Sequence, residues 1–297
     1  MPAQGYGSPV LWLALLGVHL AGFVGYNLRL RWSMVKKLDP ILLATIMQTG
    51  LALPMIPVIF LAPPTLRLFT TGDALLLIGT ISLTMALHVT NTKALEHLEA
   101  SVFSILYNLR LPFTTVLGLL FLDEPLIWLR ILGGLLIFSA IFIVQQKGKH
   151  SLVLRGMEWG IAAALALSFL NLCEKKLAIS GGFLYYFPFG ALVTAALMWA
   201  YVLIRPGHPP VDFRILIRPD MVQLMAFRAM SGLSFSGALA AGAAISVSNY
   251  ISGMSVLLMV ALGALLLGER DFLHRKIMAV VIAVLGLTAI FAGQYLG

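Results

Sequence analysis

One arginine of this chain lies inside a long apolar run, where a charged side chain is costly and marks a candidate functional residue. Arg110 belongs to the run 101–122 and is followed by Pro112, which removes a backbone donor and can kink a helix. A guanidinium binds a carboxylate or a phosphate through two parallel hydrogen bonds. We therefore predict that Arg110 contacts an anionic group of a ligand. The structural alternative is pairing with a carboxylate of the chain or with a helix end.

Polar residues at helical spacing mark two further apolar runs. In the ninth run of the chain, Asn249 and Tyr250 lie along one face of the expected helix, and in the third run His88 and Asn91 form a similar stripe. Hydrogen bonding between helices is the structural alternative for each of these residues. The predicted substrate-binding residues are Arg110, Tyr107, Asn108, Asn249, Tyr250, His88, Asn91 and Arg228.

Three titratable side chains within apolar runs are candidates for proton coupling. His88 and His19 have imidazoles that titrate near neutral pH when unperturbed, although a hydrogen-bonded packing role is the common alternative. Glu174 is the third candidate, but two lysines follow it at the end of its run, which favours a solvated charge cluster. Arg228 lies seven residues into its run, so we expect its long side chain to extend toward the basic loop nearby.

The composition requires that these residues be positioned by membrane-spanning helices. Apolar residues make up 60% of the 297, charged residues only 11%, and the mean hydropathy is +0.96, whereas a soluble domain is about 25% charged. Ten runs have the roughly 20 residues that a helix needs to cross a bilayer. The predicted fold is therefore an all-α integral membrane protein with ten transmembrane helices, at 10–30, 40–61, 74–93, 101–122, 126–145, 156–177, 183–204, 221–243, 246–267 and 274–294.

The basic residues between the runs predict an orientation rather than a nucleic-acid surface. The loops after runs 1, 3, 5, 7 and 9, here called the odd loops, contain fourteen Lys and Arg residues, and the opposite side contains four. Cytoplasmic loops of membrane proteins are enriched in these residues. We therefore expect a multi-pass protein of the cytoplasmic (inner) membrane with the odd loops inside and both termini outside. The net charge of +8 follows from this bias, so nucleic acid is not expected as a partner.

The two halves of the chain contain a weak internal repeat. The segment 100–143 aligns without gaps on 245–288, with nine of 44 positions identical, and the spacing Gly-x5-Glu-x5-Arg occurs in both. Residues 1–147 and 152–297 are therefore predicted to be two five-helix repeats. Because each contains an odd number of spans, the second would be inverted in the membrane. Inverted repeats are typical of transporters, which bind substrate near the midplane between the halves.

The motifs around this repeat carry a family resemblance. The chain resembles the EamA-type branch of the drug/metabolite transporter superfamily in the segments Thr92–Leu95, Ala100–Val102, Leu111–Thr114 and Leu122–Leu126, in their counterpart Ala264–Arg270, and in Gly25, Asn27 and Asp39-Pro40. It departs from the pattern at Leu257, where the second half would repeat Pro112, and at Gln48, where a basic residue is common. The resemblance implies a ten-helix carrier of small metabolites, often an exporter of amino acids or related compounds.

These observations favour a secondary transporter that works by alternating access, as a monomer or homodimer in the lipid bilayer. Arg110 would bind the carboxylate of an amino-acid-like substrate. An exporter of hydrophobic organic cations is the alternative within this class, and a lipid-acting enzyme or a membrane scaffold is the alternative outside it. No metal-spaced His/Cys cluster and no nucleophile motif occurs in the sequence, so we expect no enzyme activity, no metal and no cofactor.

Overall fold

Helices account for every regular element of the structure, a computed structural model that describes residues 9–35, 38–61, 70–121, 127–145, 151–179, 183–206, 211–241, 245–269 and 271–295. Within these ranges there are thirteen α-helices and one 3-10 helix, Phe213–Ile217. The α-helices are α1 (Pro9–Val35), α2 (Pro40–Ala52), α3 (Met55–Leu61), α4 (Thr71–His97), α5 (Ala100–Tyr107), α6 (Arg110–Phe121), α7 (Trp128–Gln145), α8 (Ser151–Ile179), α9 (Phe183–Ile204), α10 (Pro219–Ala240), α11 (Ile245–Gly253), α12 (Ser255–Leu266) and α13 (Leu273–Tyr295).

Seven helical segments in the described part of the chain are long and apolar enough to cross a membrane. They lie in α1, α2–α3, α4, α5–α6, α8, α9 and α13, at seven of the ten predicted spans. The other three predicted spans coincide with α7, α10 and α11–α12. Of these, α7 and α11–α12 contain shorter apolar helical segments, Ile131–Ala140 and Ile251–Leu266. An integral membrane protein built from helices is thus confirmed, whereas the count of ten spans stays a prediction.

Local sequence signals determine where two of the spans begin. Asp39 caps α2, because its side chain accepts hydrogen bonds from the backbone N–H groups of Ile41 and Leu42, and Pro40 occupies the first turn, where its missing donor costs nothing. At the start of α4, Thr70 and Asp73 form a reciprocal capping box. Each cap satisfies donors that the helix itself leaves free.

Small residues allow α10 to pack closely against α1 and α2. A Cβ atom built on Gly22 of α1 would lie 2.7 Å from the backbone N of Ser231, and one on Gly50 of α2 would lie 2.5 Å from the Cα of Met225. Neither position accepts a larger side chain without moving backbone. Besides α1–α10, the most extensive helix contacts are α4–α8 and α7–α13. Each of these three pairs joins a helix of residues 1–147 to one of residues 152–297, so the centre of the bundle is an interface between the two parts.

Candidate functional site

The fourth predicted span is broken at its centre, next to Arg110. The helix α5 ends at Tyr107, and the backbone N–H groups of Asn108 and Leu109 bond three residues back, to Ile105 O at 3.2 Å and Leu106 O at 3.0 Å. Such bonds tighten the last turn of a helix. The next helix, α6, begins at Arg110, so the break sets the position from which the guanidinium projects.

Two hydroxyl groups hold the backbone at this break. The carbonyl oxygen of Arg110 accepts hydrogen bonds from Thr114 Oγ1 of α6 at 2.6 Å and from Ser168 Oγ of α8 at 2.9 Å. Because Ser168 is fully buried and belongs to the other part of the chain, this contact fixes the arginine relative to α8.

A second break occurs at the matching position of the ninth span. There α11 ends at Gly253 and α12 begins at Ser255, and Met254 N bonds to Ile251 O at 3.1 Å. The two breaks meet, since Asn108 Nδ2 donates to Gly253 O at 3.4 Å. Asn108 and Gly253 are also paired in the alignment of the repeat, 145 residues apart. Asn108, which the sequence predicts to bind substrate, is 2% exposed, joins the two breaks, and is not a lining residue of the cavity described next; its role in substrate binding stays a prediction.

The breaks border a cavity of about 170 Å³ at the centre of the bundle. Its described polar lining comprises His19, Tyr26, Gln48, Thr80, Thr84, His88, Asn91, Tyr107, Arg110, Asn171, Glu174, Tyr186, Thr194, Arg228, Ser231, Ser236, Asn249 and Ser252. On α8 the lining residues lie between 167 and 177, and on α9 between 186 and 194. These are the parts of the two helices nearest the even loop between them. The cavity therefore extends from the middle of the bundle toward the end opposite the odd loops.

Two guanidinium groups reach this cavity, and each retains an unsatisfied donor. Arg110 is 5% exposed, and its Cζ atom lies 5.1 Å from the ring centroid of Tyr107. Arg228 lies 5.6 Å from the ring of Tyr26. The Nε atoms of both arginines are buried without a hydrogen-bond partner among the described residues. The expectation that Arg228 extends toward the basic loop is wrong, because a ring on α1 and the central cavity receive its side chain instead.

The two tyrosines under the arginines belong to one aromatic cluster. The ring of Phe23 lies 5.3 Å from that of Tyr26 and 6.0 Å from that of Tyr107, and Phe103 packs on Tyr107 at 5.2 Å. A ring face attracts a cation that stands over it. Tyr26 was not predicted as a site residue, because a tyrosine within an apolar run carries no local signal of the cavity that it lines.

Both predicted histidines line the cavity and are already hydrogen-bonded. His88 Nε2 donates to Gln48 Oε1 at 2.7 Å, and the amide nitrogen of Gln48 donates to Ala191 O at 3.1 Å. His19 Nδ1 donates to Ser231 O at 2.9 Å, and its Nε2 lies 2.8 Å from Ser252 Oγ. Gln48 was recognised only as a departure from a family pattern, yet it links α2, α4 and α9.

The remaining predicted residues divide into three that line the cavity and one that the structure does not describe. Asn91 is 3% exposed and its Oδ1 has no partner among the described residues. Asn249 and Glu174 are half-buried lining residues, and Glu174 is the one carboxylate in the described lining. Glu174 therefore belongs to the cavity lining, and its role in proton coupling stays a prediction. The side chain of Tyr250 lies outside the described residues. No group of three or more His, Cys, Asp or Glu able to hold a metal was found in the described ranges.

Several charges in the described part of the odd-loop end of the bundle are paired. Glu269, 9% exposed, accepts hydrogen bonds from the backbone N of Ala100 at 2.9 Å and from Ser101 Oγ at 3.0 Å, so it caps α5 from the other part of the chain. Arg31 lies 3.7 Å from the same carboxylate and donates to Leu95 O at 2.7 Å. These contacts tie the ends of α1, α4, α5 and α12 together.

Lys276 extends this group of contacts to α13. Its Nζ atom pairs with the carboxylate of Glu99 and donates to Glu269 O at 2.8 Å. We call Arg31, Glu99, Glu269 and Lys276 the sealing cluster. None of its members was predicted from the sequence, where Glu269 stood out only as part of a repeated turn.

Comparisons with known proteins agree with this architecture. Residues 8–146 match the EamA-like transporter family. A solved chain described only as "Crystal structure of protein" aligns with a TM-score of 0.59 over 96% of this chain and 97% of its own length, at 16% identity. At that identity the likeness shows the fold alone, and it does so along nearly the whole chain. No curated protein sequence matches significantly.

Proposed function

We propose, on the premise that residues 8–146 match the EamA-like transporter family, that this chain is a secondary transporter of a small carboxylate-bearing metabolite. The substrate is an amino acid or a related compound, and by the family resemblance the direction is export across the cytoplasmic membrane. The single observation that carries this proposal is Arg110, a guanidinium 5% exposed at a helix break, whose Nε has no partner among the described residues.

A substrate carboxylate is the natural partner for this group. Burying an unpaired charge is costly unless a ligand compensates it, and a carboxylate can accept two parallel hydrogen bonds from one guanidinium. Hydrophobic organic cations are disfavoured as cargo, because the described lining contains two arginines against one carboxylate. The aromatic cluster of Phe23, Tyr26 and Tyr107 would hold the apolar part of the substrate.

Alternating access would move the two parts of the chain against each other around this cavity. The present arrangement has a cavity that approaches the even-loop end and a sealing cluster at the odd-loop end. With the odd loops inside, it corresponds to an outward-facing state. Helices broken at matched positions supply backbone that can change shape without unfolding a whole span.

The inverted repeat, residues 1–147 and 152–297, is part of the same proposal. Two observations support it: the breaks at Asn108 and Gly253 follow the alignment offset of 145 residues, and the pairs α1–α10 and α4–α8 would be equivalent under the repeat. The first pair joins the first and eighth spans, and the second joins the third and sixth. The repeat makes span 1 equivalent to span 6 and span 3 equivalent to span 8. The contact between spans 1 and 8 is therefore equivalent to the contact between spans 6 and 3.

The test is counterflow of radiolabelled amino acids in proteoliposomes containing the purified protein. We expect exchange by the wild type, loss of exchange in Arg110→Ala, and full exchange in the matched control Arg214→Ala, since Arg214 is exposed on the 3-10 helix outside the cavity. Gel filtration and the thermal unfolding midpoint would verify that each variant is folded. Absence of exchange for every amino acid, or unchanged exchange in Arg110→Ala, would refute the proposal.

A further inference from the structure

The charged residues of the cavity, taken together, specify the charge of the substrate more closely than Arg110 alone does. The described lining contains two guanidiniums, Arg110 and Arg228, and one carboxylate, Glu174. The two lining histidines already bond to Gln48 Oε1 and to Ser231 O, so neither needs a ligand to satisfy its ring. With neutral histidines, the described lining therefore carries a net charge of +1 from two cations and one anion.

The two guanidiniums stand on different walls of the cavity. Arg110 projects from α6 over Tyr107, and Arg228 projects from α10 over Tyr26. Both rings pack on Phe23, so the cations flank one shared aromatic cluster rather than a common carboxylate. Each has its own buried Nε without a partner among the described residues, so each presents a separate donor to a ligand.

Glu174 supplies the opposite charge from a third wall. It lies on α8, half-buried in the lining of the cavity that Arg228 also lines. A carboxylate that faces a cavity can accept the hydrogen bonds of a substrate ammonium group. Its place near the even-loop end of α8 separates it from Arg110, which begins α6 at the central break.

We propose that the cavity selects an acidic amino acid, that is, a zwitterion with a second anionic group. One carboxylate pairs with Arg110, the second with Arg228, and the ammonium group with Glu174. Such a substrate carries a charge of −1 and neutralises the +1 of the lining. This assignment rests on the proposed transport function and adds the charge class of the cargo.

The charge pattern predicts how close analogues are rejected. An amide isostere of the side-chain carboxylate leaves one guanidinium unneutralised in a buried site and removes a charge-assisted hydrogen bond. We expect the affinity for L-glutamine in competition to be at least about tenfold lower than that for L-glutamate, an affinity ratio equivalent to roughly 1.4 kcal/mol. Glutarate, which lacks the ammonium group, should also compete weakly because it leaves Glu174 unpaired.

The experiment is competition in counterflow with L-glutamate, L-glutamine and glutarate against radiolabelled L-glutamate and, separately, radiolabelled L-glutamine. In Arg228→Gln we expect the preference for glutamate over glutamine to fall to about equality. In Glu174→Gln we expect glutarate to compete more strongly, relative to glutamate, than it does in the wild type. Arg214→Gln, an exposed arginine outside the cavity, should keep the wild-type preferences.

Three results would overturn the assignment. If glutamine and glutamate compete equally and exchange still requires Arg110, the transport function stands, but the assignment of an acidic amino acid as substrate is wrong. An unchanged preference in a folded Arg228→Gln variant would do the same. Exchange of no amino acid would remove the transport proposal and this inference together. Ligand-induced thermal stabilisation of the wild type gives a readout that needs no variant: we expect glutamate, not glutamine, to raise the unfolding midpoint.

Discussion

At the odd-loop end of the bundle, the buried carboxylate of Glu269 receives two backbone donors and a serine hydroxyl, and Lys276 pairs with Glu99. In the cavity, by contrast, Arg110 and Arg228 each keep a buried Nε without a partner in the described part of the chain. Buried polar groups in proteins are nearly always satisfied. The first region is therefore satisfied by contacts within the chain, whereas in the proposed transporter the second region completes its hydrogen bonds with the substrate.

This contrast predicts opposite consequences for stability when charges are removed at the two ends. Removing a charge from the sealing cluster breaks existing contacts, so the fold should lose stability. Removing an unsatisfied cation from the cavity relieves a desolvation cost, so the fold should keep or gain stability while transport is lost.

The largest effect is expected for Arg110→Met. Exchange should fall at least about 100-fold, because two charge-assisted hydrogen bonds to the substrate are removed at roughly 1.5–3 kcal/mol each. The free energy of unfolding should stay the same or rise by about 1 kcal/mol. Counterflow and thermal unfolding in detergent measure the two quantities. A clear drop in the unfolding midpoint would show that the cation is structural.

A smaller effect of the opposite kind is expected for Glu269→Ala. Loss of the cap on α5 should lower the stability by about 2 kcal/mol, the upper part of the range for helix caps, and should increase access to the cavity from the odd-loop end. Thermal unfolding measures the first effect. Glu96→Ala is the matched control, since Glu96 is exposed in the same region and uses only its backbone carbonyl to contact Arg31.

The pair of Glu99 and Lys276 should contribute less. The Glu99 side chain is 29% exposed, and solvent weakens such pairs to roughly 0.2–1 kcal/mol. A double-mutant cycle with Glu99→Gln and Lys276→Met measures this coupling through the unfolding midpoints. If the effects of the two single substitutions are additive, the interaction between Glu99 and Lys276 contributes nothing to the stability of the fold.

The smallest effect is expected at His88, one of the three candidates for proton coupling with His19 and Glu174. If protonation of His88 assists transport, a pH gradient should change the rate of exchange by about twofold, a modest effect because the ring already bonds to Gln48. His88→Asn should remove that response. An identical response in the variant would eliminate His88 and direct attention to Glu174.

The sequence predicted the helical membrane fold and the position of Arg110 inside a span, because apolar runs and a cation within one of them are local features. It could not predict the direction of Arg228, since an arginine extends to a loop or to a cavity according to what surrounds its helix. For the same reason Glu174 was placed in solvent and Tyr26 was overlooked. Their roles depend on contacts between spans distant in sequence.

The contacts of the sealing cluster also could not be predicted from the sequence. Glu269 was conspicuous as a member of a repeated turn, but its ligands are the backbone N–H groups of Ala100 and Ser101, more than 160 residues earlier. A carboxylate carries no local signal of which helix it caps. For a similar reason the contact made by Asn108 was not predicted, since its partner, Gly253, belongs to the other half.

The most direct test of the contrast is side-specific labelling of a single cysteine in the cavity. Asn249→Cys, in a Cys173→Ser background, would be treated with a membrane-impermeant maleimide from each side of oriented vesicles. We predict faster labelling from the even-loop side, the side of both termini, and protection by L-glutamate. Faster labelling from the odd-loop side, or labelling that no amino acid slows, would contradict a substrate cavity open opposite the sealing cluster.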